Sequence, residues 1–346
     1  MRIAHIVWGM ETGGVETMLV NIINEQVKTE KVALFIVNDC VNNSIINKIS
    51  HQCTIRYIKR KPHSKNILKP ISLNLQLLYY CPDIIHLHSD KISELIKIKR
   101  KMVRTIHGFY NKSEEYSAMS ALYAISDAVK EYTIKQGFNN VVTINNGIDV
   151  NAFRRKDNYT HKKNVDIVQV GRLWTKAKGQ DILLKALAEL KYKRNMNCFK
   201  MHFIGVGPSE KELKQLTTQL GLNEVVIFEG QKSQDYLYNN LRDYDLFIQP
   251  SKHDGFGLTV AEAMAAKLPI IVSDFPGPLE VVDGGNCGLV FHNGDIYDLA
   301  NKIESFVNGE YDYNMIEIAY NRVCELYDVS ITAKKYLEEY KKVLAL

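Results

Sequence analysis

No run of apolar residues in this 346-residue chain reaches the ~18–20 positions that spanning a bilayer requires. The opening residues Met1 to Trp8 lack the apolar core of a secretory leader and read instead as a first strand. Six cysteines (Cys40, Cys53, Cys81, Cys198, Cys287 and Cys324) are scattered with no Cys-x-x-Cys pair. They read as reduced, mostly buried thiols of a cytoplasmic protein rather than as disulfides or zinc ligands. No His, Cys and Asp cluster has the spacing of a metal site, so none is expected. Gly-x-Gly-x-x-Gly is absent after the first strand, although Asp39, ending the second, is placed for a ribose and keeps a dinucleotide open. Basic and aromatic residues do not interleave, which argues against a nucleic-acid partner.

What is present is globular. Hydrophobic residues make up 46% and charged residues 24%, average values for a folded enzyme. The length suits two domains of ~170 residues each. Net charge is +5, unevenly placed. Lys59, Arg60, Lys61, His63, Lys65 and Lys69 form one basic cluster, and Lys91, Lys97, Lys99, Arg100, Lys101 and Arg104 form another. These clusters admit two readings, a solvated surface or a face that meets anionic lipid or a phosphate-bearing acceptor.

Short apolar runs alternate with amphipathic ones along both halves, the pattern of parallel sheets with helices on both faces. Runs at 3–7, 32–37, 54–58, 83–87, 102–106, 121–125 and 141–144 predict the first sheet. Those at 165–170, 201–206, 224–228, 245–249, 270–272 and 288–290 predict the second. The turn signal Asn146-Gly147 and the polar stretch Arg154 to Lys163 place a boundary between them. The expectation is an α/β chain of two doubly wound, Rossmann-like domains, residues 1–150 and 151–329, facing across a cleft where the carboxyl ends of their strands bind ligands. Residues 330–346 read as a lone amphipathic helix that packs back.

The densest chemistry lies at His253-Asp254-Gly255-Phe256-Gly257-Leu258-Thr259-Val260-Ala261-Glu262, after the apolar run Leu246 to Ser251. A glycine turn opening a helix presents free N–H groups and the positive end of a dipole, which suits phosphate. The flanking carboxylates Asp254 and Glu262 can accept from sugar hydroxyls. Gly171-Arg172-Leu173 and Lys178-Gly179, read as opening the next helix, add a forked cation and a point charge for a diphosphate. Gly9, Gly13 and Gly14 after the first strand let backbone approach a ligand. His107, beside Gly108 at a strand end, faces the expected cleft; His86 and His88 alternate along a strand and receive no role. Asp243-Tyr244-Asp245 mimics a metal-binding Asp-x-Asp, but it precedes its strand and is rejected.

Taken in order, Gly13-Gly14-Val15-Glu16, His107-Gly108, Asn146-Gly147-Ile148-Asp149, Gly171-Arg172-Leu173 with Lys178-Gly179, and Asp254-Gly-Phe-Gly-Leu-x-x-x-Glu262 resemble the motifs of retaining glycosyltransferases of the GT-B fold, family GT4. The resemblance covers essentially the whole chain. It implies transfer of a sugar from a nucleoside diphosphate donor to a polysaccharide or lipid-linked acceptor, with no metal and no cofactor beyond the sugar nucleotide. Glu262 would hold the donor's ribose. Arg172 and Lys178 would neutralise the diphosphate, with backbone N–H groups of Gly14 and of Gly257, Leu258 and Thr259. His107 would contact the transferring sugar. Asp254 stands where the family has glutamate, shorter by ~1.5 Å, which implies an altered donor preference. Two other readings stay open: a nucleotide-sugar epimerase on the same architecture, and a non-catalytic partner subunit of another transferase.

Overall fold

Apolar runs bounded by glycine and polar residues become strands because a parallel sheet covered on both faces buries nearly every position. The computed structural model describes all residues except Thr12, Lys65, Lys112, Ser113, His161 and Lys163; the readings placed on Lys65 and Lys163 lie outside the described residues. Two compact units emerge, one of residues 1–148 with 327–346, the other of residues 149–326.

In the first unit β1 (Arg2–Val7), α1 (Gly14–Gln26), β2 (Lys31–Asn38), α2 (Asn43–Ile46), β3 (Thr54–Arg60), α3 (Leu68–Tyr80), β4 (Ile84–Leu87), β5 (Lys101–Ile106), β6 (Ala121–Ala124), α4 (Asp127–Lys135) and β7 (Val141–Thr143) follow one another. All pairs are parallel, in the order β3-β2-β1-β4-β5-β6-β7. The chain starts at β1, builds outward to β3, then returns to β4 on the other side. The switch between β1 and β4 is where such sheets open a crevice.

The second unit repeats the plan with β8 (Val165–Val170), α5 (Thr175–Lys178), α6 (Gln180–Lys193), β9 (Phe199–Ile204), α7 (Glu210–Gln219), β10 (Val226–Gly230), α8 (Gln234–Asn240), β11 (Leu246–Gln249), α9 (Leu258–Ala265), β12 (Ile270–Ser273), α10 (Pro276–Val281), β13 (Leu289–Phe291), α11 (Ile296–Val307) and α12 (Asn314–Leu326). Its order is β10-β9-β8-β11-β12-β13, so its switch falls between β8 and β11. The core runs from Leu183, Leu187 and Leu190 on α6 through Phe203 and Ile248 to Ile303 on α11, all buried.

The last helix, α13 (Val329–Ala345), belongs to the first unit. Tyr336, Tyr340 and Val343 bury its apolar face in the core that Leu19 and Ile23 of α1 share. Gly147 permits this approach, since a Cβ there would lie 2.5 Å from Thr332 Oγ1 and 2.7 Å from Val329 Cα.

Three expectations need correction. Lys178 closes the one-turn α5 rather than opening a helix, because Gly179 turns left-handed (φ 66°) hard against the Pro250 carbonyl before α6 starts. Arg104 is not part of a basic surface; it is buried and paired with Asp90 and, at 2.5 Å, with Glu115. Of the six free cysteines only Cys53 and Cys287 are buried, and Cys81 is exposed.

Candidate active site

At the switch point of the second unit, the loop after β8 and the loop after β11 lie side by side because their strands pair. Backbone bonds lock them: Lys252 and His253 N–H groups both donate to the Ala177 carbonyl, at 2.8 and 3.0 Å. Lys252 Nζ also reaches both oxygens of Asp181 at 2.9 Å. Lys178 and Asp254, 76 positions apart in sequence, are thereby brought together, with Nζ donating to Oδ2 at 2.5 Å. Gln249 Nε2 and Ser251 Oγ approach the same oxygen at 3.4 and 3.3 Å. Asp254 is thus held inside its own loop.

Beneath this pair sits a polar layer that the spacing did not reveal. Gln169, Gln180, Gln249 and Ser251 are all fully buried. Gln180 Nε2 donates to the Arg172 carbonyl at 3.0 Å, and Gln249 Nε2 donates to Ser251 Oγ at 2.8 Å. Among the described residues Gln169 Nε2, Gln180 Oε1 and Gln249 Oε1 have no partner, which is uncommon in a core that serves packing alone. Arg172 itself is exposed, its guanidinium over the Trp174 ring at 5.9 Å from the centroid. Among the described residues no carboxylate pairs with it.

Gly257 adopts φ 103° to start α9, and Pro278 packs against it, so the turn is fixed from both sides. Leu258 and Thr259 are the first helical residues, with backbone N–H groups that have no intrahelical acceptor. Glu262 lies one turn further, 5% exposed, accepting from Gln234 Nε2 at 2.8 Å. Burial raises its carboxyl to about 7, against the smaller opposing effect of Gln234. A buried carboxyl with one weak donor is poised for a further hydroxyl.

The rejected Asp243 and Asp245 lie at the opposite end of β11. Asp245 pairs with Lys156 at 3.1 Å and Lys162 at 2.8 Å. Burial would raise it, but hydrogen bonds from Lys162, the Asp166 backbone and Lys156 hold it low.

In the first unit the switch point is lined differently. Glu16 folds back over Gly13, where a Cβ would fall 2.3 Å from its carboxylate, and Gly14 begins α1 beneath it. Burial raises the Glu16 carboxyl. Gly9 packs on Cys40, whose carbonyl would lie 2.8 Å from a Cβ. Asp39 is exposed one position beyond β2, its N–H spent on the Arg60 carbonyl. His107 follows β5 with both ring nitrogens shielded and, among the described residues, without a hydrogen-bond partner. Burial, helped by Arg104, lowers it to about 4, so the imidazole is neutral near pH 7.

Sequence spacing missed what surrounds it. His5 on β1 and His86 on β4 are register partners, and His88 follows two positions on. These three buried rings stand close enough to hold an ion. Their nitrogens are already engaged: His5 with His88 at 2.9 Å and Gln26 at 2.7 Å, His86 with Tyr340 at 2.5 Å and Thr105 at 2.8 Å. Among the described residues only His88 Nδ1 of the trio is left over. Burial lowers His5 to about 4 and holds His86 and His88 well below the usual range. The trio is a neutral hydrogen-bonded network, and the His107 ring lies 6.0 Å from that of His88.

Comparison with known proteins follows the same division. The model of glycosyl transferases group 1 matches residues 150–322, and that of Glycosyltransferase Family 4 matches residues 12–152. A phosphatidyl-myo-inositol mannosyltransferase of Mycobacterium leprae is 24% identical over 75% of this chain and 74% of its own. A poly(ribitol-phosphate) alpha-N-acetylglucosaminyltransferase of Staphylococcus aureus is 25% identical over 59% of this chain and 41% of its own. In four curated relatives the matched segment spans 40% to 56% of the relative's length, about half. HepE of Anabaena, solved with UDP and glucose, superposes with a TM-score of 0.82 at 19% identity, covering 98% of this chain and 99% of that one. That likeness establishes two parallel-sheet units of the GT-B type. With the group 1 model matched across half of its length, the chain belongs to the group 1 glycosyl transferases.

Proposed function

We propose that the chain transfers a sugar from a nucleoside diphosphate donor to a glycan or lipid-linked acceptor in surface polysaccharide synthesis, with retained configuration and without a metal ion. The observation that carries the reading is the convergence, at one switch point, of Arg172, Lys178, the start of α9 and buried Glu262. Arg172 and Lys178 suit two phosphates, and the N–H groups of Leu258 and Thr259 add partial positive charge that does not reorganise. Glu262, once ionised, accepts from the ribose hydroxyls.

In the reaction the bond from the anomeric carbon to the diphosphate oxygen breaks and its electron pair leaves with the nucleotide. The acceptor oxygen bonds to that carbon from the face the diphosphate leaves, and its proton passes to an oxygen of the departing phosphate. Negative charge grows on the diphosphate, which is where the cations act. In the first unit, the neutral His107 ring can donate from one nitrogen and accept at the other, which fits a sugar hydroxyl. Gly14 offers its N–H at the start of α1. The Lys178–Asp254 pair is the gate in this scheme, since Lys178 must turn from its carboxylate towards phosphate. A shorter acid tethered to that lysine also supports an altered choice of donor sugar.

Thermal stabilisation by a panel of nucleoside diphosphate sugars, headed by UDP-glucose because HepE was solved with UDP and glucose, tests the reading. A true donor at 100 times its dissociation constant adds about 2.7 kcal/mol. Glu262→Ala should abolish that gain, and Asp254→Glu should change which sugar gives it. Donor binding that ignores Glu262→Ala, with no acceptor-dependent release of nucleoside diphosphate, would leave a non-catalytic partner instead.

A further inference from the structure

The first unit carries an apolar face that nothing among the described residues covers. Helix α3 sends only Leu73 and Leu77 into the core. Ile67, Leu68, Ile71, Leu75, Leu78 and Tyr79 are each 50% to 84% exposed. At ~100° per residue these six occupy one uninterrupted arc about 120° wide, opposite Leu73 and Leu77. Every position on the arc is apolar. Six of the eighteen large apolar side chains exposed among the described residues fall within these fourteen positions. Scattered exposure needs no explanation, but a contiguous stripe of this kind marks an interaction site.

Charge frames the stripe. Residues 40–82 contain seven Lys and Arg and no Asp or Glu. Lys59 and Lys61 are exposed just ahead of the helix. The segment after β4 is pinned beside α3, with Asn74 Nδ2 donating to the Leu95 carbonyl and Lys97 N–H donating to Asn74 Oδ1, both at 2.7 Å. Arg100 meets Cys81 Sγ at 3.2 Å, past the end of the helix. Lys97, Lys99 and Arg100 are exposed there, and Glu94 is the only acid between 91 and 101.

From this juxtaposition we infer that α3 is a membrane-docking face, lying in the headgroup plane of a bilayer rich in anionic lipid. A helix of 13 residues is about 20 Å long, too short to span and suited to lying flat. Cations on both flanks attract the anionic surface, and the apolar arc then enters the acyl boundary. An acidic protein is the weaker fit, because interfaces between proteins mix hydrogen-bonding groups into the apolar patch, whereas the one such group here is the hydroxyl of Tyr79 at the arc's edge, where an amphipathic ring suits the headgroup level. The inference goes beyond the transfer reaction and uses none of its residues, so either can fail alone.

Vesicle flotation decides it. The whole chain should float with vesicles of roughly one-third phosphatidylglycerol and bind at least ~10-fold more weakly to phosphatidylcholine alone. Ile71→Ser with Leu75→Ser and Leu78→Ser should remove binding by a similar factor, while thermal melting and donor stabilisation stay unchanged. Lys97→Gln with Lys99→Gln and Arg100→Gln should erase the preference for anionic vesicles. The proposal is overturned if neither vesicle type binds, or if the triple serine variant floats as well as the parent. Retention on polyglutamate resin that survives the serine substitutions, without flotation, would assign the face to an acidic protein.

Discussion

The two units share a doubly wound parallel sheet with a switch point near its middle, yet they are electrostatically unlike. The first holds 23 Lys and Arg against 15 Asp and Glu, a formal +8; the second holds 21 against 24, a formal −3. At the switch point the contrast takes another form. The first unit places neutral imidazoles there, kept uncharged by burial. The second places a cation–carboxylate pair and a carboxyl held near neutrality. One architecture therefore offers a hydrogen-bonding wall in one unit and a charge-matching one in the other. Topology fixes where a ligand can sit; the residues at the strand ends decide what it can be.

Opposite pH responses are the sharpest test of this contrast. The chain has two tryptophans, Trp8 in the first unit and Trp174 in the second, so Trp174→Phe and Trp8→Phe leave one fluorescent reporter each. His5 and His107 fall from 6.5 to about 4 on folding. Between those values the unfolded chain holds more protons, so the first unit gains stability as pH rises from about 4 to 6.5. Each imidazole contributes on the order of 3 kcal/mol. In urea titrations followed by Trp8, His107→Asn should flatten that rise by about one imidazole's share. A rise left unaltered would mean that His107 titrates normally.

For the second unit the sign reverses. Glu262 rises from 4.5 to about 7 on folding, so the folded state holds the extra proton. Stability is greatest below 4.5 and is lost as pH climbs to about 7, by roughly 2–3 kcal/mol. Trp174 fluorescence should show that loss disappear in Glu262→Gln. If the variant loses stability over the same range, the carboxyl is not desolvated as described.

The smallest effect belongs to the gate. Lys178 and Asp254 are 24% and 14% exposed, and a double-mutant cycle with Lys178→Met and Asp254→Asn should give a coupling of about 1 kcal/mol. Asp254→Asn alone should tighten binding of a bare nucleoside diphosphate, because it frees the lysine. Weaker binding would instead make Asp254 a direct contact.

Much of the fold was legible because strands buried on both faces leave apolar runs, and the thirteen strands among the described residues fall at the expected positions, edge strand β3 with only Ile58 buried. Helix α12 is harder to read, since beside the buried Ile316, Ala319 and Val323 it carries an exposed Ile318 that blurs the period. Glu262 at the start of a helix could be read from the motif. The Lys178–Asp254 bond and the His5–His86 pairing could not, because they depend on which strands adjoin and in what register. Arg104 misled for the same reason: its carboxylates come from Asp90 and Glu115, so a cation in a basic run proved to be a core residue.

The second unit leaves and re-enters the first through adjacent points. Ile148 N–H donates to the Tyr327 carbonyl at 2.9 Å, and Val329 N–H donates to the Ile148 carbonyl at 2.8 Å. It is therefore an insertion whose two ends are stitched together. During synthesis the inserted unit can fold to completion while its host still lacks α13, and with it Tyr340, the hydroxyl partner of His86. Maturation of the histidine network thus waits for the last helix to emerge from the ribosome. Excising residues 149–326 and joining the stitched ends should give a miniature protein that keeps its seven-stranded sheet.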